Sequence, residues 1–232
     1  MDLKDGCAVH AVAGKRDQYK PVSLTGAVSH GNPQQLIRFY VGRGLSQLYV
    51  ADLNALQRRS QQFSVVREML ENARQCESIL LDLGWRGDED RSSMEMIGCW
   101  VREFPNLSVV AATESAVSPV AYRRLADRVG CDRTFLGLDY RGGQVIGDNA
   151  NEHDSIRSAR DDKLRGIVVL DLDAVGISAG PTTAAIVRRV KEQFSIGTIV
   201  SGGGVRSADD ARELFQAGCN QCLVATALHD CR

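Results

Sequence analysis

The sequence lacks the features that mark membrane proteins, nucleic-acid-binding proteins and disulfide-rich secreted domains. No apolar run approaches the ~18 residues that a membrane-spanning helix needs. The 28 Lys and Arg residues nearly balance the 29 Asp and Glu residues, and the formal net charge is −1. Without a charge excess, we expect no nucleic-acid partner and no membrane partner. The sequence leaves the oligomeric state open.

The cysteines also lack a pattern, because the seven are odd in number and irregularly spaced. Such usage is typical of a reducing compartment, so a cytoplasmic location is expected. Cys219 and Cys222 form a Cys-x-x-Cys motif, but no second pair completes a zinc site, and two buried structural thiols are predicted. The sequence shows neither a metal-ligand cluster nor a nucleotide fingerprint, so no metal and no cofactor are predicted.

What the chain does contain is a regular alternation of short apolar runs and amphipathic stretches. The apolar runs predict strands that end at Asp52, Asp82, Ala112, Asp139, Asp171, Ser201 and Ala225. Helical spacing fills the gaps, and proline follows Asn32, Ser118 and Gly180 where helices should begin. Alternating βα units predict parallel strands with right-handed crossovers. No linker interrupts them, so residues 1–232 are expected to form one domain.

Internal repetition decides between an open doubly wound sheet and a closed barrel. The segment DLNAL at Asp52 recurs 119 residues later as DLDAV at Asp171, and GWR recurs 120 residues later as GVR. A third pair, DLKDG at Asp2 and DYRGG at Asp139, follows the same order. We therefore predict two half-barrels fused into one (βα)₈ TIM barrel.

Barrel closure also predicts where a site would lie, since TIM barrels carry it at the carboxyl ends of their strands. The predicted strands end in an unusually polar set of residues, including four aspartates. Turn and capping preferences explain one or two aspartates at such positions but not all of them. We expect substrate contacts from Asp52, Asp171 and Ser201.

A run of three glycines, Gly202 to Gly204, lies between a predicted strand and a predicted helix that Ser207 should cap. Bare backbone N–H groups and a helix N-terminus together suit an anion. The alternative is a tight turn that binds nothing. Because the sequence repeats as two half-barrels, phosphate binding is the preferred interpretation of the glycine run.

Three segments, MDLKDGCAVH, LDYRGGQVIG and SGGGVRS, resemble the histidine-biosynthesis barrel family, and the resemblance covers essentially the whole chain. That family includes the isomerase of phosphoribosylformimino-aminoimidazole-carboxamide ribotide and a related cyclase. The resemblance implies an aldose–ketose isomerase working by an Amadori-type rearrangement. It implies that Asp2 is the general base and Asp139 the general acid.

The resemblance also implies a phosphorylated small-molecule substrate. Its phosphate is expected at Gly202, Gly203, Gly204, Ala225 and Thr226. The basic loop after the first strand could receive an anionic substrate through Lys15 and Arg16, or it could be a solvated loop.

Departures from the family pattern favour a divergent paralogue. The family's first phosphate loop is glycine-rich, but here Asp82 and Leu83 replace two glycines, and a carboxylate disfavours phosphate. Val175 stands where the family tends to have a polar residue. A different substrate, for example one with a single phosphate, is therefore expected. Two alternatives stay open: a lyase or cyclase acting on another phosphorylated metabolite, and a catalytically silent barrel that binds a phosphorylated ligand.

The amino end raises a separate expectation, because only Met1 precedes Asp2, the residue that should end the first strand. A barrel strand needs roughly five residues. We therefore expect a short first strand with partly bare edges on its neighbours, and an apolar stretch encoded upstream.

Overall fold

A computed structural model of the chain describes residues 1–148, 150–177, 180–194 and 197–229. The strands in this part are β1 (Asp2–Lys4), β2 (Cys7–His10), β3 (Lys20–Pro21), β4 (Gln47–Asp52), β5 (Ser78–Asp82), β6 (Leu107–Ala112), β7 (Thr134–Arg141), β8 (Gln144–Val145), β9 (Gly166–Asp171), β10 (Thr198–Gly202) and β11 (Gln221–Leu223). The α-helices are α1 (Pro33–Gly42), α2 (Leu53–Leu56), α3 (Phe63–Asn72), α4 (Arg91–Glu103), α5 (Val120–Val129), α6 (Glu152–Asp161), α7 (Ala184–Gln193), α8 (Ala208–Gln216) and α9 (Thr226–His229).

The parallel strands follow one another around the sheet in the order β1, β4, β5, β6, β7, β9, β10, β11. The short strands β2 and β3 extend the sheet from β1 as antiparallel neighbours, and β8 pairs with β7. Within the described residues no ladder joins β1 to β11. The predicted (βα)₈ barrel of two half-barrels is confirmed, with eight parallel strands along a curled sheet.

Helix starts follow the capping rules on which the sequence interpretation depended. The side chain of Asn32 accepts the N–H of Gln35 at 2.8 Å, with Pro33 as the first helical residue of α1. Ser207 caps α8 in the same way, accepting the N–H of Asp210 at 3.3 Å. Each cap satisfies an amide that the helix itself leaves unpaired.

The strands bury both faces, as parallel strands covered by helices do. On β5, Ile79 and Leu81 belong to the larger core between the sheet and the helices, whereas Leu80 points into the barrel. The barrel interior is filled by a small apolar cluster: Leu80, Val110, Ala112, Phe135, Val168 and Val200. This cluster forms a packed floor, so a ligand can enter only above it, at the carboxyl ends.

Strand register places the two halves of the barrel at the same height. Asp2 of β1 lies opposite Ala51, the residue before Asp52. Asp139 of β7 lies opposite Leu170, the residue before Asp171. The two halves therefore present Asp2 and Asp139 at equivalent positions, as the sequence repeat predicts.

None of the helices in the described part of the chain has the length and apolarity that crossing a bilayer requires.

Candidate active site

A cavity of about 330 Å³ opens at the carboxyl ends of the strands. Its wall is mainly apolar, with many leucine and valine side chains from strands, helices and loops. The charged side chains that line it are four carboxylates and one guanidinium, from Asp2, Asp82, Glu114, Asp139 and Arg16. The cavity therefore sets acidic groups in apolar surroundings, which is where carboxyl pKa values rise.

Asp139 lies on β7, and its side chain is almost wholly buried. Burial raises the pKa of Asp139 well above its ordinary value, and the nearby carboxylates of Glu114 and Asp82 raise it further. Arg16 opposes these effects, as does a hydrogen bond from the backbone of Glu114. A carboxyl group whose pKa is raised holds its proton to higher pH and can donate it to a ligand.

Asp2 lines the same cavity from β1 and is half-buried. Burial also raises the pKa of Asp2, but the positive charges of the Met1 amino group, Arg16 and His10 act in the opposite direction. Its environment therefore favours the ionised form more than that of Asp139 does. Two carboxyl groups whose surroundings separate their pKa values can divide the roles of base and acid.

Arg16 reaches the cavity from a short 3₁₀ turn after β2. Its guanidinium Nη2 lies 2.6 Å from Oε2 of Glu114, which follows β6, and both side chains are largely buried. Lys15, the other basic residue predicted for substrate binding, is exposed and does not line the cavity. Of this pair, the structure brings only Arg16 into the candidate site.

Asp82 adds a third aspartate at the end of β5. Burial raises its pKa to about 7, even though the N–H of Gly84 donates to its Oδ1 at 2.9 Å. The hydroxyl of Tyr49 lies 3.4 Å from Oδ2. The sequence marked Asp82 only as a strand end and as a missing glycine, but here it faces the cavity.

The glycine-rich loop after β10 borders the opposite side of the cavity. Gly203 and Gly204 line it, with φ of 96° and 76°, together with Ala225 and Thr226. Among the described residues, no backbone carbonyl accepts the N–H of Gly204, which lies beyond the end of β10. Gly202 does not line the cavity; it is a buried β10 residue where a Cβ would lie 2.5 Å from the Leu223 carbonyl oxygen.

The expectation that Asp52 contacts substrate is corrected by the structure. Asp52 is fully buried and outside the cavity lining. Its carboxylate accepts the N–H groups of Asn54, Ala55 and Gln62, at 3.0, 3.2 and 2.7 Å, and the side-chain amide of Gln62 at 2.8 Å. Asp52 therefore caps α2 and fixes the loop that follows.

Asp171 and Ser201 are corrected for the same reason. Asp171 accepts the N–H of Asp173 at 3.1 Å and the hydroxyl of Thr182 at 2.7 Å, so it orders the loop after β9. Ser201 is buried, lies 2.8 Å from the Thr183 hydroxyl and donates to the Val169 carbonyl at 3.0 Å. Neither residue lines the cavity.

Strand alternation explains which aspartates face the cavity. Ala51 and Leu170 point inward and line it, so the next residues, Asp52 and Asp171, point outward. Asp82 pairs with Ala51 and so shares its inward face.

Two further features of the lining escaped the sequence interpretation. Glu114 follows the apolar strand β6 by two residues. The polar residues Thr113 and Glu114 directly after that strand were the sequence signal that could have indicated a site residue there. Cys222 is only half-buried and lines the cavity, whereas Cys219 is buried as predicted. No three His, Cys, Asp or Glu side chains in the described ranges are grouped to hold a metal ion. The residues at hand offer proton transfer and anion binding.

An eight-stranded barrel with its charged cavity at the carboxyl ends has the architecture of the TIM-barrel proteins. A family model described as "Histidine biosynthesis protein" matches residues 1–232, and the chain belongs to that family.

Individual relatives cover nearly the whole chain at low identity. An uncharacterized protein of Methanocaldococcus jannaschii is 26% identical over 229 residues, which are 99% of this chain and 91% of the relative. A 1-(5-phosphoribosyl)-5-((5-phosphoribosylamino)methylideneamino) imidazole-4-carboxamide isomerase of Methanosphaera stadtmanae is 24% identical over 235 residues, 99% of this chain and 92% of the relative. The isomerase of the same name from Dinoroseobacter shibae is 28% identical over 239 residues, again 99% and 92%.

Proposed function

We propose that this chain is an isomerase that converts a phosphorylated aminoaldose into the corresponding aminoketose by acid–base catalysis. One observation carries the proposal: Asp2 and Asp139 occupy equivalent positions in the two half-barrels and line the same cavity. Relatives whose names describe an isomerase of a phosphoribosylated compound support the same class of reaction.

The proposed reaction needs two proton transfers, and the surroundings of the two aspartates match them. Asp139, whose pKa is raised by burial, donates a proton to the sugar ring oxygen. The C1–O bond then breaks as the amine nitrogen forms a double bond to C1. Asp2 removes the proton from C2, and the resulting enol becomes a ketone as C1 takes up a proton. Atoms and electrons balance within the substrate, so no redox partner is required.

The phosphate of the substrate is proposed to bind at Gly203 and Gly204, beside Ala225 and Thr226. Support comes from the Gly204 N–H, which borders the cavity and donates to no backbone carbonyl of the described residues, and from the positive φ of both glycines. Such groups bind anions without a side chain. We place the reaction in the cytoplasm, since the described cysteines are all free thiols.

The test is a proton-exchange assay on purified protein. Singly phosphorylated N-ribosyl amines and the doubly phosphorylated ribotide are incubated with the protein in D₂O and followed by NMR. The proposal predicts an aminoketose product with carbon-bound deuterium at C1, at a rate that depends on protein concentration. Binding without exchange or product on any of these compounds would overturn it and favour a silent binding barrel.

A further inference from the structure

The two halves of the barrel have different residues at one equivalent strand position. Asp82 pairs with Ala51 just as Gly202 pairs with Leu170, so Asp82 stands where the second half has Gly202. Gly84 and Gly204, two residues further on, both have positive φ, at 63° and 76°. The two loops therefore begin with related backbone conformations and differ in what surrounds their amides.

In the first half, the amides of this loop are already occupied by carboxylates of the chain itself. The Gly84 N–H donates to Asp82 at 2.9 Å. The N–H groups of Arg86 and Gly87 donate to the two oxygens of Glu89 at 2.5 and 2.8 Å. A phosphate arriving here would have to displace two carboxylates and would meet their negative charge.

The side chains of this loop also close it against a ligand. Trp85 is buried, and its indole N–H donates to the Ala121 carbonyl at 2.8 Å. The guanidinium of Arg86 pairs with Asp88, 3.0 Å away. The cavity wall on this side consists instead of Asp82 with Leu53 and Leu56 of α2. This wall presents apolar side chains and a carboxylate to a ligand, rather than hydrogen-bond donors for an anion.

The charges inside the cavity also disfavour a second anionic group on the Asp82 side. Asp2, Asp82, Glu114 and Asp139 face the one guanidinium that lines it within the described residues, Arg16, and Arg16 is paired with Glu114. The Met1 amino group and the imidazoles of His10 and His229 also line the cavity, and the charges of Met1 and His10 act on Asp2. A volume of about 330 Å³ is also at the small end for ligand pockets.

We infer that the substrate carries a single phosphate, bound at Gly203 and Gly204, and presents no second anionic group to the Asp82 side. The inference rests on the proposed function only in taking this cavity as the substrate site. It narrows the substrate class to monophosphates whose remaining part carries no negative charge.

The test compares ribulose 5-phosphate with ribulose 1,5-bisphosphate by calorimetric titration. For the wild-type protein we expect one ligand per chain and a bisphosphate that binds no more than about threefold tighter than the monophosphate. Gly203→Ala should weaken the binding of ribulose 5-phosphate at least about tenfold, or 1.4 kcal/mol. Its methyl group would point into the loop at positive φ, 3.3 Å from the Asp171 carbonyl oxygen.

A gain-of-binding variant tests the closed side directly. Asp82→Gly copies Gly202 and releases the Gly84 N–H, so it should make the bisphosphate bind about tenfold tighter than the monophosphate. Asp82→Asn is the matched control, since it removes the charge but keeps an acceptor for Gly84, and it should gain less. Thermal unfolding shows whether each variant is folded. If Asp82→Gly does not fold, the inference is tested by the ratio of bisphosphate to monophosphate affinity in the wild-type protein and by the effect of Gly203→Ala.

Three results would overturn the inference: wild-type protein that prefers the bisphosphate about tenfold or more, no saturable binding of either compound at millimolar concentration, or a folded Asp82→Gly variant with an unchanged ratio. These outcomes are separate from failure of the proposed function. Monophosphate binding without isomerisation contradicts the reaction alone, and turnover of the doubly phosphorylated ribotide contradicts the single-phosphate inference alone.

Discussion

The guanidinium of Arg16 and the carboxylate of Glu114 form a 2.6 Å ion pair at the cavity, although 98 residues separate them in the chain. Both groups act on Asp139: the Glu114 charge raises its pKa, and the Arg16 charge lowers it. The pair therefore adjusts the protonation of the proposed acid without being the acid itself.

Replacing Glu114 with glutamine should lower the pKa of Asp139. The variant loses the negative charge that favours the protonated acid, and Arg16 loses its partner, which leaves more positive charge to act on Asp139. Carbon-13 NMR titration of labelled aspartate carboxyls measures the shift directly, with Glu95→Gln on the surface of α4 as the control. An Asp139 pKa that stays the same or rises would contradict this account of the ion pair.

Asp2→Asn and Asp139→Asn should each lower turnover at least about 10²-fold, because each removes one proton-transferring group. The readout is the initial rate of aminoketose formation on the substrate identified by the exchange assay. Asp127→Asn, an exposed change on α5, is the matched control and should retain full activity. Near-normal activity in either cavity variant would remove that aspartate from the mechanism.

The free energy of unfolding should fall as pH rises from about 4 to about 7. Asp82 has a pKa of about 7 in the folded protein but an ordinary value near 3.8 when unfolded. Between these values the folded chain holds a proton that the unfolded chain has released, so rising pH favours unfolding. Burial shifts the pKa values of Asp2 and Asp139 in the same direction.

Asp82→Asn isolates the contribution of one residue to that slope. At ~1.4 kcal/mol per pKa unit, the variant should gain stability relative to wild type by on the order of 4 kcal/mol between pH 4 and pH 8. Urea denaturation at several pH values measures the difference. Parallel stability curves for the two proteins would show that Asp82 titrates normally in the folded state.

Asp52→Ala should destabilise the fold by roughly 2–4 kcal/mol, since it removes a helix cap and leaves buried donors unsatisfied. Urea denaturation gives the loss, and Asp127→Ala should change stability by less than about 0.5 kcal/mol. Folded Asp52→Ala protein should still bind ribulose 5-phosphate with wild-type affinity. A selective loss of binding with unchanged stability would restore Asp52 as a substrate contact.

Much of the fold could be predicted from the sequence, because the information for it is local or repeated. Apolar runs such as residues 79–81 mark buried strands, caps such as Asn32 mark helix starts, and offsets of 119 and 120 residues indicate two halves. The repeat also placed Asp2 and Asp139 at equivalent positions, and the register confirms that placement. A short first strand with partly bare neighbours was also predicted from the sequence; β1 has three residues, and within the described residues no ladder joins it to β11.

Tertiary structure decided which side chains line the cavity, because a shift of one residue along a strand moves a side chain to the other face. Asp82 and Asp52 both end apolar strands in the sequence, yet strand pairing sets Asp82 level with inward-facing Ala51, while Asp52 follows Ala51 and points outward. Side chains alternate between the faces of a strand, so this outcome depends on register between strands that are distant in the chain. The same holds for Glu114, which pairs at the cavity with Arg16, a residue that is distant in the chain. The sequence by itself determined the barrel and its repeated aspartates; which carboxylates face a ligand was determined by the pairing of the strands.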